Sequence, residues 1–199
     1  MREPGAERVR VVVTGERGVG KSTVCEKALW MLRTEGKRCG GVLTRKVVDP
    51  LGRIQGIEVL DVSQDPPEAR LLARTDDRDA DGPRVGAYRF MRAGLEFGRE
   101  AIRRGLSEAE ILFGDELGYL ELHGGGFSLL LDGLAAQTGP HMAVVIRSDL
   151  LVEALDRLGG VRVQVLEVTM SNRIRAAPRL CRMLSSTGAP IKTPVTRLP

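Results

Sequence analysis

Residues 15–22 read GERGVGKS and fit the spacing G-x-x-x-x-G-K-[ST]. Glycines at those positions let successive backbone N–H groups turn inward. Together with a helix N-terminus they make a cradle for phosphate oxygens. Lys21 can reach the β- and γ-phosphates, and Ser22 can place its hydroxyl on Mg²⁺, with Thr23 in support. Gly15, Glu16, Arg17, Gly18, Val19, Gly20, Lys21, Ser22 and Thr23 are therefore the candidate nucleotide-binding residues.

A second constellation lies at residues 111–122, ILFGDELGYLEL, where Asp115 and Glu116 stand at the end of an apolar run. Mg²⁺ takes oxygen ligands, keeps several waters, and is often held through a distal carboxylate. Asp115 is placed for that role, so Ser22 and Asp115 are the candidate metal residues. Glu116 follows it and is suited to polarise a water for attack on the γ-phosphorus. The competing reading of both acids is a strand that has reached solvent.

Arg147 follows the apolar run MAVVI directly. At the carboxyl edge of a parallel sheet it could stabilise transition-state charge, the alternative being one more exposed arginine. Glu116, Lys21 and Arg147 are thus the candidate catalytic residues. Arg173 is read as either a base or ribose contact or the partner of a nearby carboxylate. His123, His141, Cys25, Cys39 and Cys181 have no metal-ligand spacing, and the cysteines read as small apolar fillers.

These groups need elements to hold them. Residues 9–14 form a β-branched run ahead of the glycine-rich turn, and a helical stretch runs from 21 to about 35, stopped by Gly36. A strand is expected at 38–44 and another at 56–61, joined through the turn residues 49–52 as a hairpin. The region 64–83 reads as exposed loop with a short strand at 68–73. Further strands are expected at 87–90, 111–114, 142–146 and 161–168. Helices are expected at 95–104, 127–137, from a cap at Ser148 to about 158, and at 172–184 with an interruption near Pro178. Alternating strands and helices predict an α/β fold, a mostly parallel sheet flanked by helices on both faces, with an added antiparallel hairpin. All 199 residues are read as one domain with its core at about 9–184 and a Pro-rich, loosely held tail at 185–199.

The bulk properties agree. The chain is 42% hydrophobic and only 4% aromatic, so aliphatic side chains must build the core. A net charge of +4, scattered rather than striped, suits a phosphate-rich ligand and argues against a nucleic-acid partner. Three widely spaced cysteines point to a reducing, cytoplasmic setting. No apolar run approaches the roughly 20 residues of a membrane span.

Taken in order, GERGVGKST, GGVLTRKV, RVGAYRF, FGDELGYLEL and EVTMSNR resemble the THEP1-type nucleoside-triphosphatases, P-loop NTPases with a RecA-like core. The resemblance spans residues 9–184 and implies Mg²⁺-dependent hydrolysis of nucleoside triphosphates with broad base tolerance. It matches Arg45 to a basic position of a G-x-x-T-R segment, and Glu121 to an acid of a D-E-I-G-K-M-E-L pattern. Two positions depart from it: Tyr119 stands where lysine is usual, and Lys46 where an acid is usual. Tyr119 reads as a packing residue, with stacking on a base as the alternative. Two other functions stay open at this level: a small-molecule or nucleotide kinase, and a nucleotide-gated binding module with little turnover. No residue pattern favours one base or one oligomeric state.

Overall fold

The computed structural model describes residues 8–76, 79–136 and 138–185. The tail expected at 185–199 lies outside the described residues from 186 onward, as does position 137 at the end of the expected helix 127–137.

Among the described residues one sheet has nine strands. Its parallel half is β2 (Cys39–Val48), β7 (Ile111–Leu117), β8 (His141–Ile146), β1 (Arg10–Thr14) and β9 (Gln164–Glu167), adjacent in that order. Beyond β2 the sheet continues antiparallel through β3 (Ile54–Asp61), β4 (Glu68–Arg74), β6 (Tyr88–Phe90) and β5 (Arg84–Val85). The antiparallel part is therefore a four-strand wing rather than a single hairpin. Its outer strands are short and charged, which hides their meaning from periodicity.

β1 is buried along its whole length, as a central parallel strand must be. Its alternate residues feed two cores. Val11 and Val13 face α1 (Lys21–Thr34) and α6 (Arg173–Ser185). Val12 faces the opposite side, where α2 (Arg92–Glu108), α4 (Leu129–Ala135) and α5 (Leu151–Arg157) contribute Ile102, Leu130 and Ala154. Even Arg10 is buried, because its guanidinium donates to the Pro140, Ala136 and Thr138 carbonyls at 2.7, 2.8 and 3.0 Å.

Several elements differ from the sequence expectation. β7 continues through Asp115 and Glu116 instead of ending at Gly114, because β8 still pairs with it at Leu117. A one-turn helix α3 (Tyr119–Leu122) occupies what reads as open loop. Ser148 does not cap α5; it lies in a short 3₁₀ turn, Ser148–Leu150, that leads into that helix. α6 runs unbroken through Pro178. Ala176, Ala177, Leu180, Cys181 and Leu184 bury its apolar face, and that packing outweighs one missing backbone hydrogen bond. His141 opens β8, and its Nδ1 accepts the Val9 N–H at 3.0 Å.

Candidate active site

The parallel strands deliver their carboxyl ends to one edge, and the glycine-rich turn follows β1 there. The turn is held from both sides. Gly15 has φ +142°, and a Cβ at that position would lie 2.3 Å from the Val168 carbonyl oxygen. Only a residue without a side chain lets β1 and the β9–α6 connection approach so closely. Gly20, at φ +105°, starts α1 with its N–H groups facing the turn. Lys21 is buried, and its ammonium donates to the Gly15 and Glu16 carbonyls at 2.8 and 3.0 Å. Gly15→Ala is expected to lose about 1–3 kcal/mol of stability to strain alone, read as a lower Tm, together with nucleotide affinity.

Two strands away, Asp115 is fully buried. Its Oδ2 accepts from the Thr44 hydroxyl at 3.1 Å and the Thr44 N–H at 3.3 Å. Burial pushes its carboxyl above the usual aspartate range, opposed by Ser22, Thr44 and the Lys21 charge. Its Oδ1 is buried with no hydrogen-bond partner among the described residues. A buried acceptor left open next to a serine hydroxyl fits one water of a hydrated Mg²⁺. Ser22 and Asp115 therefore suit the ion the sequence implies.

Glu116 follows Asp115 on β7 and is open to solvent at the sheet edge. The protein mass behind it, then the Asp115 charge, raise its carboxyl, while Lys21 and Arg147 pull it down. Arg147, just past β8, is held by Asp149 through two bonds of 3.0 and 2.7 Å. Its guanidinium carbon lies 5.5 Å from the centroid of the Tyr119 ring. Tyr119 is thus an exposed ring against an arginine and not a packing residue.

The remaining candidates fall differently. Arg45 is on the hairpin, paired to its cross-strand neighbour Glu58 at 2.8 Å, on the face opposite Thr44. That ion pair is its evident role in the free protein. Lys46, the second departure, is exposed on the same strand. Arg173 is the exposed first residue of α6, one turn from the glycine-rich loop's contact at Val168. It makes no carboxylate pair among the described residues. Glu121 is buried; its two oxygens accept the Gly118 and Phe127 N–H groups at 2.9 and 3.1 Å. It fastens the segment after Glu116 to the 123–127 turn. Glu121→Ala leaves two donors without an acceptor, so a loss of about 2–4 kcal/mol is expected in urea unfolding.

Thr44 and Asp149 escape a reading by chemistry, since each acts by holding another side chain. The signal for Thr44 was its place in GGVLTR; Asp149 had only its spacing from Arg147.

A family model described as NTPase matches residues 10–180. The nucleoside-triphosphatase THEP1 of Methanopyrus kandleri is 33% identical over 174 residues, 85% of this chain and 92% of that one. The nucleoside-triphosphatase THEP1 of Thermofilum pendens is 30% identical over 180 residues, 88% and 94% of the two chains. Among solved structures, THEP1 from Aquifex aeolicus superposes with a TM-score of 0.68 at 22% identity, over 89% of this chain and all of that one. A human cancer-related nucleoside triphosphatase superposes equally well, with a TM-score of 0.68 at 24% identity over 91% of this chain and all of that one. These two likenesses fix the α/β P-loop architecture.

Proposed function

The chain belongs to the THEP1-type NTPase family and is a nucleoside-triphosphate hydrolase; on that premise we propose that it cleaves Mg²⁺-bound ATP, GTP, CTP and UTP to the diphosphate and phosphate, as one P-loop domain. The observation that carries this reading is geometric. The Lys21 ammonium is buried in the glycine-rich turn on the Gly15 and Glu16 carbonyls, and Asp115, held by Thr44, keeps a buried Oδ1 without a partner among the described residues.

The glycine-rich turn receives the triphosphate through its N–H groups, from Gly15 to Thr23. Lys21 exchanges its two carbonyl partners for phosphate oxygens. Ser22 and Asp115 would hold Mg²⁺, which would supply positive charge to counter that of the phosphates. Thr44 orients the Asp115 carboxylate by its two hydrogen bonds. Glu116 orients a water in line with the γ-phosphorus and draws off its proton; a raised carboxyl suits a base working near neutral pH. Arg147, fixed by Asp149, faces the same edge and stabilises the charge that moves onto the leaving oxygens. Little covalent chemistry falls to the protein, so positioning and charge carry the rate. Arg173 lies on the nucleoside side of the turn.

Phosphate release from the four triphosphates, with Mg²⁺ and with excess chelator, tests this. Release that stops with the chelator and returns with added Mg²⁺ is expected. Unchanged release under chelation would overturn the metal assignment. Phosphate recovered on a second substrate instead of in solution would return the kinase reading.

A further inference from the structure

The amino ends of the parallel strands make a second edge of the sheet, opposite the one that carries Asp115, Glu116 and Arg147. A cleft of about 390 Å³ opens there, beside the start of β2, the end of α1 and the last turns of α2. Glycine backbone brings its walls together: a Cβ on Gly40 would lie 3.1 Å from the Gly105 Cα. Along α1, Arg33 of this cleft stands roughly 18 Å from Lys21 of the phosphate loop. The two places are therefore separate.

Four cations line the cleft: Arg33, Lys37, Arg38 and Arg104. Two of them are matched by acids. Arg104 bonds the buried Asp61, which also accepts the Ser63 N–H at 2.9 Å and the Ser63 hydroxyl at 2.7 Å. Arg38 lies 3.7 Å from Glu110. The other two are not matched. Arg33 is held in place, since its Nη2 donates to the Val62 and Gln64 carbonyls at 2.6 Å each and its guanidinium carbon lies 5.2 Å from the Trp30 ring centroid. Its Nη1 is nevertheless buried with no hydrogen-bond partner among the described residues, and the Asp65 carboxylate, itself exposed, is 4.0 Å away. Lys37 is half-buried, and its ammonium has no ion pair or hydrogen bond among the described residues. Charged donors withdrawn from water without acceptors are costly, and a bound anion removes that cost. A helix end ordinarily repels anions through its open carbonyls. Here the Met31, Leu32 and Arg33 carbonyls are already closed by the Glu35, Lys37 and Gly36 N–H groups, at 3.2, 3.0 and 2.9 Å.

We propose that this cleft binds a phosphate monoester of a small polyol or sugar, at a site distinct from that of the triphosphate. Two unmatched positive charges suit a dianion, which a monoester is near neutral pH. A guanidinium beside a lysine ammonium suits phosphate oxygens. The space exceeds what a phosphate group alone fills and is on the scale of small-molecule sites. Asp65 and Glu108 stand exposed at its rim as acceptors for ligand hydroxyls. Arg33 is ordered before binding, so little entropy is lost when the anion arrives.

The test is a titration of the isotope-labelled full chain with glycerol 3-phosphate, followed by amide NMR shifts at constant ionic strength. Shifts are expected at residues 33–40, 63–65 and 104–109, with an affinity unchanged by Lys21→Ala, which disables the phosphate loop. Lys37→Gln and Arg33→Gln should each raise Kd by roughly 5- to 30-fold, the loss of one charged hydrogen bond. Lys37 bonds to nothing else among the described residues, so its variant decides the matter where Arg33→Gln weakens the fold. Inorganic phosphate should shift the same amides but bind more weakly, because it leaves the rest of the cleft unfilled. Shifts confined to residues 15–23, or an affinity untouched by Lys37→Gln, would overturn the site. Equal affinity for inorganic phosphate would overturn the ester, and equal affinity for malonate, a dicarboxylate of the same charge, would overturn the phosphate. No readout here uses hydrolysis, so the result stands whatever the rate of phosphate release from triphosphates.

Discussion

Glu116→Gln is expected to lower kcat for phosphate release by roughly 10²- to 10⁴-fold, the contribution of a positioned general base. Nucleotide affinity should stay close to that of the wild type. The side chain is open to solvent at the sheet edge and makes no hydrogen bond to the protein among the described residues, so the fold does not depend on its charge. Glutamine keeps its size and removes the one thing the mechanism asks of it, a place to put the water's proton. Loss of a neighbouring negative charge would, if anything, tighten binding of a polyanion. The pH profile supplies a second reading. The protein mass behind it and the Asp115 charge raise the Glu116 carboxyl, so it is protonated, and inactive as a base, to a higher pH than a free glutamate. The acid limb of kcat therefore lies higher than a free glutamate would place it, and activity is lost as pH falls through it. In Glu116→Gln that limb should vanish from the residual rate. Steady-state kinetics across pH, with equilibrium binding of a non-hydrolysable analogue, measure both. A variant kcat within about tenfold of the wild type would remove Glu116 from the base's role.

Those residues were legible because their chemistry fixes spacing. A phosphate loop needs its glycines, its lysine and its hydroxyl at set intervals, so residues 15–22 declare themselves in one line. The acids after ILFG needed the loop first, and then a reason for carboxylates to stand at the end of a buried run. The parallel half of the sheet was legible for a similar reason. Strands buried on both faces are continuous apolar runs, and helices, four turns in α1 and two in α4 and α5, separate them.

The wing beyond β2 was harder because it is half exposed. β5 has two residues and β6 three, and neither is long enough to show a period of two. The end of β7 was hidden for a different reason. Polarity at Asp115 marks the edge of an apolar run, but the strand ends where its pairing ends, at Leu117. Arg45 shows the limit of motif transfer. Its segment matched, yet the side chain sits on the face opposite Thr44 and is engaged by Glu58. Alternation along β2 could have separated the two: Thr44 bonds to Asp115, so its neighbour must point away. Tyr119 and Arg147, 28 positions apart, meet only because β7 and β8 are adjacent, which no local pattern reveals.

Lys21→Ala is expected to weaken triphosphate binding by roughly 10²-fold, the worth of a charge-assisted hydrogen bond in a site shielded from water. kcat should fall by a further 10²- to 10³-fold or so, since the same charge counters what develops on the transferring phosphoryl group. The free protein explains why the effect is so concentrated. The Lys21 ammonium is held inside the loop by the Gly15 and Glu16 carbonyls, so it stands waiting at the phosphate position with its stem already ordered. Its entropy has been lost in folding and is not lost again on binding. Truncation has two further consequences. The two carbonyls lose their donor, so the loop loosens and Tm falls modestly. The Lys21 charge also holds down Asp115 and Glu116, so its removal leaves both carboxyls higher still. The acid limb of the residual activity must then move to higher pH, the opposite of what a simple loss of affinity would do. Lys21→Arg restores the charge but not the compact ammonium that fits between two carbonyls, so it should recover the pH limb more fully than the rate. Affinity and pH profile together separate loss of the fold, which would abolish both, from loss of the phosphate contact, which shifts one and weakens the other.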